Sequence, residues 1–212
     1  MVRGVFITIE GCEGTGKSTQ AALLAETLRD AGLAVTEVRE PGGTPVSEAV
    51  RTVLLDRAND GLDPRAELLL YEASRAELVR RVILPALASG GAVVCDRFFD
   101  STTAYQGYGR GLPLDEVKRL NEFATSGIVP DLTVVLDLDP AEGLSRAVGA
   151  GADRLEAEEI DFHERVRTGF LRIAEDEPER VVVVPATGSV ADVAQRVSAA
   201  AARLPVLTAV LH

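Results

Sequence analysis

The chain has 212 residues, 46% of them hydrophobic, and a formal net charge of −11 at neutral pH. That length suits one α/β domain, and the acidic balance excludes a general nucleic-acid binder, which would carry a basic field. No apolar run predicts a transmembrane span or a signal peptide, and two cysteines do not suggest a disulfide framework, so reduced thiols and a cytoplasmic location are expected.

The predicted elements alternate along the chain. Val5–Ile9 is apolar and β-branched, as a buried parallel strand should be. After Lys17, the residues Ala21, Leu24, Ala25 and Leu28 fall at helical spacing, and Gly32 stops the run. Ala34–Arg39 reads as a second strand, Glu40–Pro45 as a loop broken by Pro and Gly, and a helix follows near Val46–Arg57. Pro64 opens a long helix with Leu69, Ala73, Ala76, Ile83 and Leu87 on one face, and Pro85 should loosen its last turns. Gly91–Cys95 is a short third strand ending at Asp96-Arg97. Asp100–Tyr105 looks helical and leads into the Gly-rich stretch Gly107–Gly111. Pro113–Thr125 is a helix, Asp131–Asp137 a strand, and Pro140–Val148 a helix that dissolves into Gly149-Ala150-Gly151. Leu155–Glu177 returns as helix, with the acid-rich stretch Glu156–Glu179 as its solvated face. Arg180–Val184 is the fifth strand and Val190–Arg203 the closing helix. This alternation predicts a parallel sheet wrapped by helices, with ligands bound beyond the carboxyl ends of the strands.

Between the first strand and helix lies Gly11-Cys12-Glu13-Gly14-Thr15-Gly16-Lys17-Ser18, a phosphate-binding loop of the form G-x-x-x-x-G-K-S. Its backbone N–H groups would cradle a polyphosphate, with the dipole of the next helix behind them and Thr19 in its first turn. Lys17 would reach the outer phosphates and Ser18 a Mg²⁺ ion. Cys12 occupies a variable loop position and is not expected to act as a nucleophile. Asp96, at the end of an apolar strand, suits a metal-associated acid, held directly or through water; the alternative is a strand-end cap. Arg97 would bridge donor and acceptor phosphates, unless it forms an ordinary surface ion pair.

Further motifs carry a family resemblance. Arg39-Glu40-Pro41-Gly42-Gly43-Thr44, Leu70-Tyr71-Glu72-Ala73-Ser74-Arg75, and Asp96-Arg97 followed by Ser101-Thr102-Thr103-Ala104-Tyr105-Gln106-Gly107 together resemble the thymidylate kinases. So do Pro130-Asp131-Leu132-Thr133 and Asp153-Arg154-Leu155-Glu156, with the weakest match at Ala147–Ala152. The resemblance implies a phosphate-loop nucleoside monophosphate kinase fold: a five-stranded parallel sheet surrounded by helices, in one domain spanning 1–212, with a small lid at about 142–156. It implies transfer of the γ-phosphoryl of ATP to dTMP, with Mg²⁺ as cofactor, and a homodimer that binds neither nucleic acid nor membrane.

By the same resemblance, Arg75 would bind the thymine edge, Tyr71 would stack on the base, and Thr102 and Gln106 would complete its recognition. Tyr105 would crowd the position of a 2′-hydroxyl, Glu13 would approach the sugar 3′-hydroxyl, and Arg51, Arg97 and Ser101 would lie toward the monophosphate, with Glu40 in the acceptor loop. Read without the resemblance, Tyr71 and Tyr105 are equally core aromatics, and Thr102 and Gln106 helix-surface polar groups. Some members of the family carry an arginine inside the phosphate loop, where this chain has Gly14. The missing charge would then come from the lid, from Arg154 or alternatively from Arg146, which equally suits a helix-end charge. The acceptor phosphate is largely dianionic near neutral pH and needs no strong general base. His163 therefore reads as a helix-surface residue and His212 as part of the tail. Alternative readings are a kinase for another nucleoside monophosphate, or a nucleotide-dependent switch, although no Asn-Lys-x-Asp guanine-reading motif is present. Adenine would rest near Ala186-Thr187-Gly188.

Overall fold

The computed structural model describes residues 4–147 and 154–208. Its five strands are β1 (Phe6–Gly11), β2 (Val35–Arg39), β3 (Ala92–Asp96), β4 (Leu132–Asp137) and β5 (Val181–Pro185). They form one parallel sheet in the order β2-β3-β1-β4-β5. With every strand pointing the same way, the ends of β1 and β3 emerge side by side; Ile9 pairs with Asp96, and the phosphate loop starts two residues further on. That juxtaposition positions the site.

Alternation along β1 separates two cores. Ile7 and Ile9 face α1 (Lys17–Asp30) and α9 (Val190–Ala201), packing among Leu24, Leu28, Val134 and Val197. Phe6 points the other way, against Phe98 at 5.0 Å between ring centroids, with Leu78, Ile83 and Leu87 around them. A third cluster, Tyr105, Phe162, Val166 and Phe170, joins α8 (Ile160–Asp176) to the sheet. Polar groups on the sheet are satisfied rather than excluded. Thr8 and Thr133 share a 2.8 Å bond, while Arg180 clamps Asp100 at 2.7 and 3.0 Å from below α5 (Phe99–Thr102).

The predicted long helix is three pieces: α3 (Pro64–Leu78), a π turn at Val79–Ile83, and α4 (Leu84–Ala88). The π turn lies immediately before Pro85, whose missing N–H and ring disturb the preceding turn. It shifts the helical register, so Leu69 and Ala73 do not share a face with Ile83 and Leu87. Leu69 is 55% exposed and Ala73 is also exposed, whereas Leu68, Glu72, Arg75 and Leu78 point inward. The apolar-stripe expectation fails here because the buried face of α3 is largely charged.

Three boundaries also differ from expectation. The stretch expected to loop at Gly107–Gly111 continues α5 as a π turn, Thr103–Gly109. Gly109 is there for packing, since a Cβ on it would lie 2.7 Å from the Phe162 ring. The helix expected from Leu155 begins at Ile160, behind a turn that buries Arg154 and Leu155. The closing helix stops at Ala201, and α10 (Pro205–Thr208) follows. The remaining helices are α2 (Pro45–Leu55), α6 (Leu114–Thr125) and α7 (Pro140–Ala147). Of the expected lid at 142–156, residues 148–153 lie outside the described residues, as do Asp153 of the lid motif and His212 of the tail.

Candidate functional site

The phosphate loop closes on itself. Thr15 Oγ1 donates to the Cys12 carbonyl at 2.9 Å, and Lys17 Nζ donates to the same oxygen at 2.5 Å. Gly16 enters α1 with φ 86°, a left-handed value that costs glycine nothing. Burial, helped by the nearby Arg97, lowers the Lys17 pKa to about 8, although Glu13 and Asp96 oppose the shift. Beside it, Ser18 Oγ donates to Asp96 Oδ2 at 2.5 Å. Asp96 Oδ1 is buried, with no hydrogen-bond partner among the described residues. One hydroxyl and one carboxylate with a spare oxygen, next to a phosphate cradle, fit the small protein share of a Mg²⁺ shell completed by phosphate and water. The Cys12 thiol is pushed up to about 12, mainly by burial, and is inert at neutral pH.

Gly14 is the tightest point of the loop. Its φ is 67°, and a Cβ there would lie 1.9 Å from the carbonyl oxygen of Gly143 on α7. The approach is mutual: a Cβ on Gly143 would lie 2.3 Å from the Glu13 carbonyl oxygen. No side chain fits between the loop and α7 as they stand.

Arg97 holds the wall between loop and β3. It adopts φ 69°, unfavourable for a residue with a side chain, and so turns its guanidinium back over the loop. There it donates to the Gly11 carbonyl at 3.1 Å, Tyr105 Oη at 3.2 Å, Ser101 Oγ at 3.3 Å and Glu13 Oε1 at 3.0 Å. Tyr105 Oη donates to Glu13 at 2.7 Å. Burial works against ionising Glu13, but Arg97, His163, Lys17 and Tyr105 outweigh it and hold its carboxyl far below the usual range. Beneath them Glu10, wholly buried, accepts from the Phe98 N–H at 2.7 Å and from Ser101 Oγ at 2.5 Å. Burial and the neighbouring Asp100 push Glu10 up to about 8.

The floor is built around Arg75, 1% exposed. Its five N–H groups all have acceptors: Glu40 at 2.9 and 2.7 Å, Glu72 at 2.9 Å, Asn121 at 3.2 Å and Thr102 at 2.8 Å. Two carboxylates thus share one guanidinium, and burial pushes Glu40 up to about 7 against the pull of Arg75. Gln106 donates to Glu67 at 2.8 Å. Glu67 is fully buried and also meets Arg110 at 3.1 Å and Arg154 at 2.6 Å.

The phosphate loop, Asp96, Arg97, Glu40 and Arg75 border one cleft of about 330 Å³. Of the sequence candidates, Glu13, Gly14, Gly16, Lys17, Ser18, Thr19, Glu40, Arg51, Tyr71, Arg75, Asp96, Arg97, Ser101, Thr102, Tyr105 and Gln106 all line it. Gly11, Cys12 and Thr15 form the loop behind that surface. Arg154 stands apart. Its Nε donates to the Leu54 carbonyl at 2.8 Å, its guanidinium pairs with Glu67, and the cleft lining includes Leu155 and Glu156 but not Arg154. Arg146 pairs with Glu142 and donates to the Ala186 carbonyl at 3.2 Å. Sequence reasoning missed Glu10, Glu67 and Asn121, acidic or polar residues in strands and helices with no motif of their own. It also misplaced His163, which is 1% exposed and lies 3.4 Å from Glu13 rather than on the helix surface. The signal available was its spacing, three residues before Val166 and seven before Phe170, which puts it on the face that α8 buries.

Known proteins agree with this architecture. The family model described as thymidylate kinase matches residues 9–197. A protein of Synechococcus sp. (strain JA-2-3B'a(2-13)) named thymidylate kinase is 54% identical over 206 residues, covering 97% of this chain and 98% of its own. One of the same name from Deinococcus radiodurans is 55% identical over 188 residues, covering 88% and 91%. The crystal structure of thymidylate kinase from Ehrlichia chaffeensis superposes with a TM-score of 0.76 at 37% identity, covering 92% of this chain and 96% of that one.

Proposed function

The chain belongs to the thymidylate kinase family, and we propose how its cleft carries out that family's reaction, transfer of the γ-phosphoryl of ATP to dTMP to give dTDP and ADP. The observation that carries the proposal is the convergence, in one cleft, of a phosphate loop, a Ser18–Asp96 pair and a polar pocket floored by Arg75. ATP phosphates lie along Gly11–Thr19. Ser18 and Asp96 would hold Mg²⁺, which when bound would supply neutralisation of phosphate charge. Lys17, displaced from the Cys12 carbonyl by the anion, follows the γ-phosphoryl as a phosphate oxygen of dTMP bonds to it and its bond to the β-phosphate oxygen breaks. Arg97 spans both phosphates, with Arg51 and Ser101 on the acceptor side. Because the acceptor is already an oxyanion, alignment and charge neutralisation supply the catalysis.

Tyr71 stacks on the thymine, while Thr102 and Gln106 read its edge. Arg75 joins them by exchanging one of its own contacts, such as Asn121 at 3.2 Å, for a base carbonyl. Glu13 accepts the sugar 3′-hydroxyl, Tyr105 closes the 2′ side, and Glu40 in the acceptor loop keeps Arg75 in place. The adenine rests near Ala186–Gly188, where Arg146 and Arg196 already bind backbone carbonyls.

We further propose that the chain works as one kinase domain with a lid at about 142–156, of the kind lacking a loop arginine. The crowding at Gly14 supports this, because an arginine there has no room. The transferring phosphoryl then takes its extra positive charge from Arg154, which must first leave Glu67. A homodimer is supported by apolar side chains left exposed on neighbouring helices: Val46 and Val53 on α2, Leu69 on α3 and Phe123, 84% exposed, on α6. No helix among the described residues is long and apolar enough to cross a membrane. The buried thiols Cys12 and Cys95 suit a cytoplasmic location. A coupled assay of ADP release across dTMP, dUMP, dCMP, UMP, AMP and GMP tests the acceptor. dTMP should rank first, and its absence from the best acceptors would sink the assignment.

A further inference from the structure

His163 has no role in the account above, yet its placement is costly. The ring lies 1% exposed on α8, and among the described residues neither nitrogen has a hydrogen-bond partner. A buried polar atom without a partner destabilises a fold, and leucine at this position would remove the penalty. Packing therefore does not explain an imidazole here.

What the ring faces does. Nδ1 lies 3.4 Å from Glu13 Oε2, longer than a formed hydrogen bond but within reach of one. Glu13 Oε1 is already held by Arg97 at 3.0 Å, and the Tyr105 hydroxyl sits 2.7 Å from both oxygens. Among the described residues, Oε2 accepts from the Tyr105 hydroxyl and has only the His163 Nδ1 as a further donor within reach. The α8 backbone is docked on the loop at the same point, since Cys12 Sγ lies 4.0 Å from the His163 carbonyl oxygen. The Phe162 ring stands edge-on to the imidazole at 5.4 Å and helps to wall it from solvent.

We propose that His163 is a positioning residue for acceptor recognition: with its proton on Nδ1 it steers Glu13 Oε2, so that the carboxylate meets the 3′-hydroxyl of the acceptor sugar. The inference rests on the placement of Glu13 against that hydroxyl. A group acting only through Glu13 matters only when the hydroxyl is present, and that separates positioning from general structural support.

The test compares dTMP with 3′-deoxythymidine monophosphate as acceptors at saturating ATP. It uses the full chain, His163→Leu, His163→Asn and Glu13→Gln, with a melting curve for each. His163→Leu should lower kcat/KM for dTMP about tenfold and for the 3′-deoxy acceptor less than about twofold, without lowering the melting temperature. His163→Asn, whose amide nitrogen falls near the Nδ1 position, should recover most of the loss. Equal losses on both acceptors, or no loss on either, would overturn the proposal. Glu13→Gln separates the premise. If its loss is the same with both acceptors, the placement of Glu13 fails and the role of His163 fails with it. If Glu13→Gln discriminates between the acceptors and His163→Leu does not, the role of His163 alone is wrong.

Discussion

Replacing Arg75 by glutamine removes the cation that both Glu40 and Glu72 contact, and leaves them buried. Each already has an oxygen without a hydrogen-bond partner among the described residues, Glu40 Oε1 and Glu72 Oε2, so neither has a ready alternative to the guanidinium. Removing one partner of a buried ion pair costs about 3–5 kcal/mol. With a urea slope of about 3 kcal/mol per molar, the unfolding midpoint of Arg75→Gln should fall by about 1–2 M at pH 8, at fixed protein concentration.

The pH dependence makes this test specific. Burial pushes Glu40 up to about 7 and raises Glu72, with Arg75 holding both down. Without Arg75 both rise further in the folded state, while the unfolded chain titrates near 4.5. The folded state then binds more protons than the unfolded one throughout that window. Stability is therefore greatest below the unfolded pKa and is lost as pH rises toward the folded values, by at most about 1.4 kcal/mol per pH unit for each carboxyl. The deficit of Arg75→Gln against the unsubstituted chain should be clearly larger at pH 8 than at pH 6. Adding Glu40→Gln and Glu72→Gln should return most of the stability without returning activity. Equal deficits at the two pH values, or no rescue in the triple variant, would refute the shared-guanidinium account.

Lys17→Ala should reduce kcat at least 10²–10³-fold, a rough scale for a lost charge-stabilising group, with the melting temperature unchanged or raised because a buried ammonium is removed. In the unsubstituted chain, kcat/KM for ATP should fall as pH rises through about 8, where the buried Lys17 loses its proton; a flat profile well above that pH would argue against an ammonium contact. Arg154→Ala should lower kcat more than it weakens dTMP binding, and an effect confined to KM would count against a transition-state contact. Gly143→Ala should lower kcat/KM for ATP by roughly tenfold or more while the fold persists, because its Cβ would meet the Glu13 carbonyl at 2.3 Å and force the loop to move; unchanged kinetics would show that α7 yields instead.

What could be read from the chain before its structure followed from local chemistry. Strand positions came from β-branched runs and the phosphate loop from glycine spacing, and each fell within a residue or two of its place. The acceptor pocket was legible only through family motifs. Thr102 and Gln106 look like helix-surface polar groups because a single sequence does not show which partners will satisfy them. Their partners, Arg75 and Glu67, sit 27 and 39 positions away. The failures share that cause. The inward face of α3 carries Glu67, Glu72 and Arg75, so a search for an apolar stripe selected Leu69 and Ala73, which face outward. Glu10, near the end of an apolar strand, gives no local hint that it anchors the turn presenting Arg97.

The same logic gives the Gly14 position its meaning. Sequence alone says only that the loop lacks an arginine; the geometry supplies a reason, since Gly14 and Gly143 meet backbone to backbone. A loop that uses that space to dock α7 cannot also hold a guanidinium there. The same docking couples the phosphate loop to α7, because Gly143 and Arg146 lie on that one short helix, and Arg146 reaches the Ala186 carbonyl. Movement of α7 would thus be felt at once by the Glu13 carbonyl and by the loop that follows β5. On this view the glycine is not a missing catalytic group. It is the point where the phosphate loop rests on α7, while Arg154 is held apart from the cleft at Glu67.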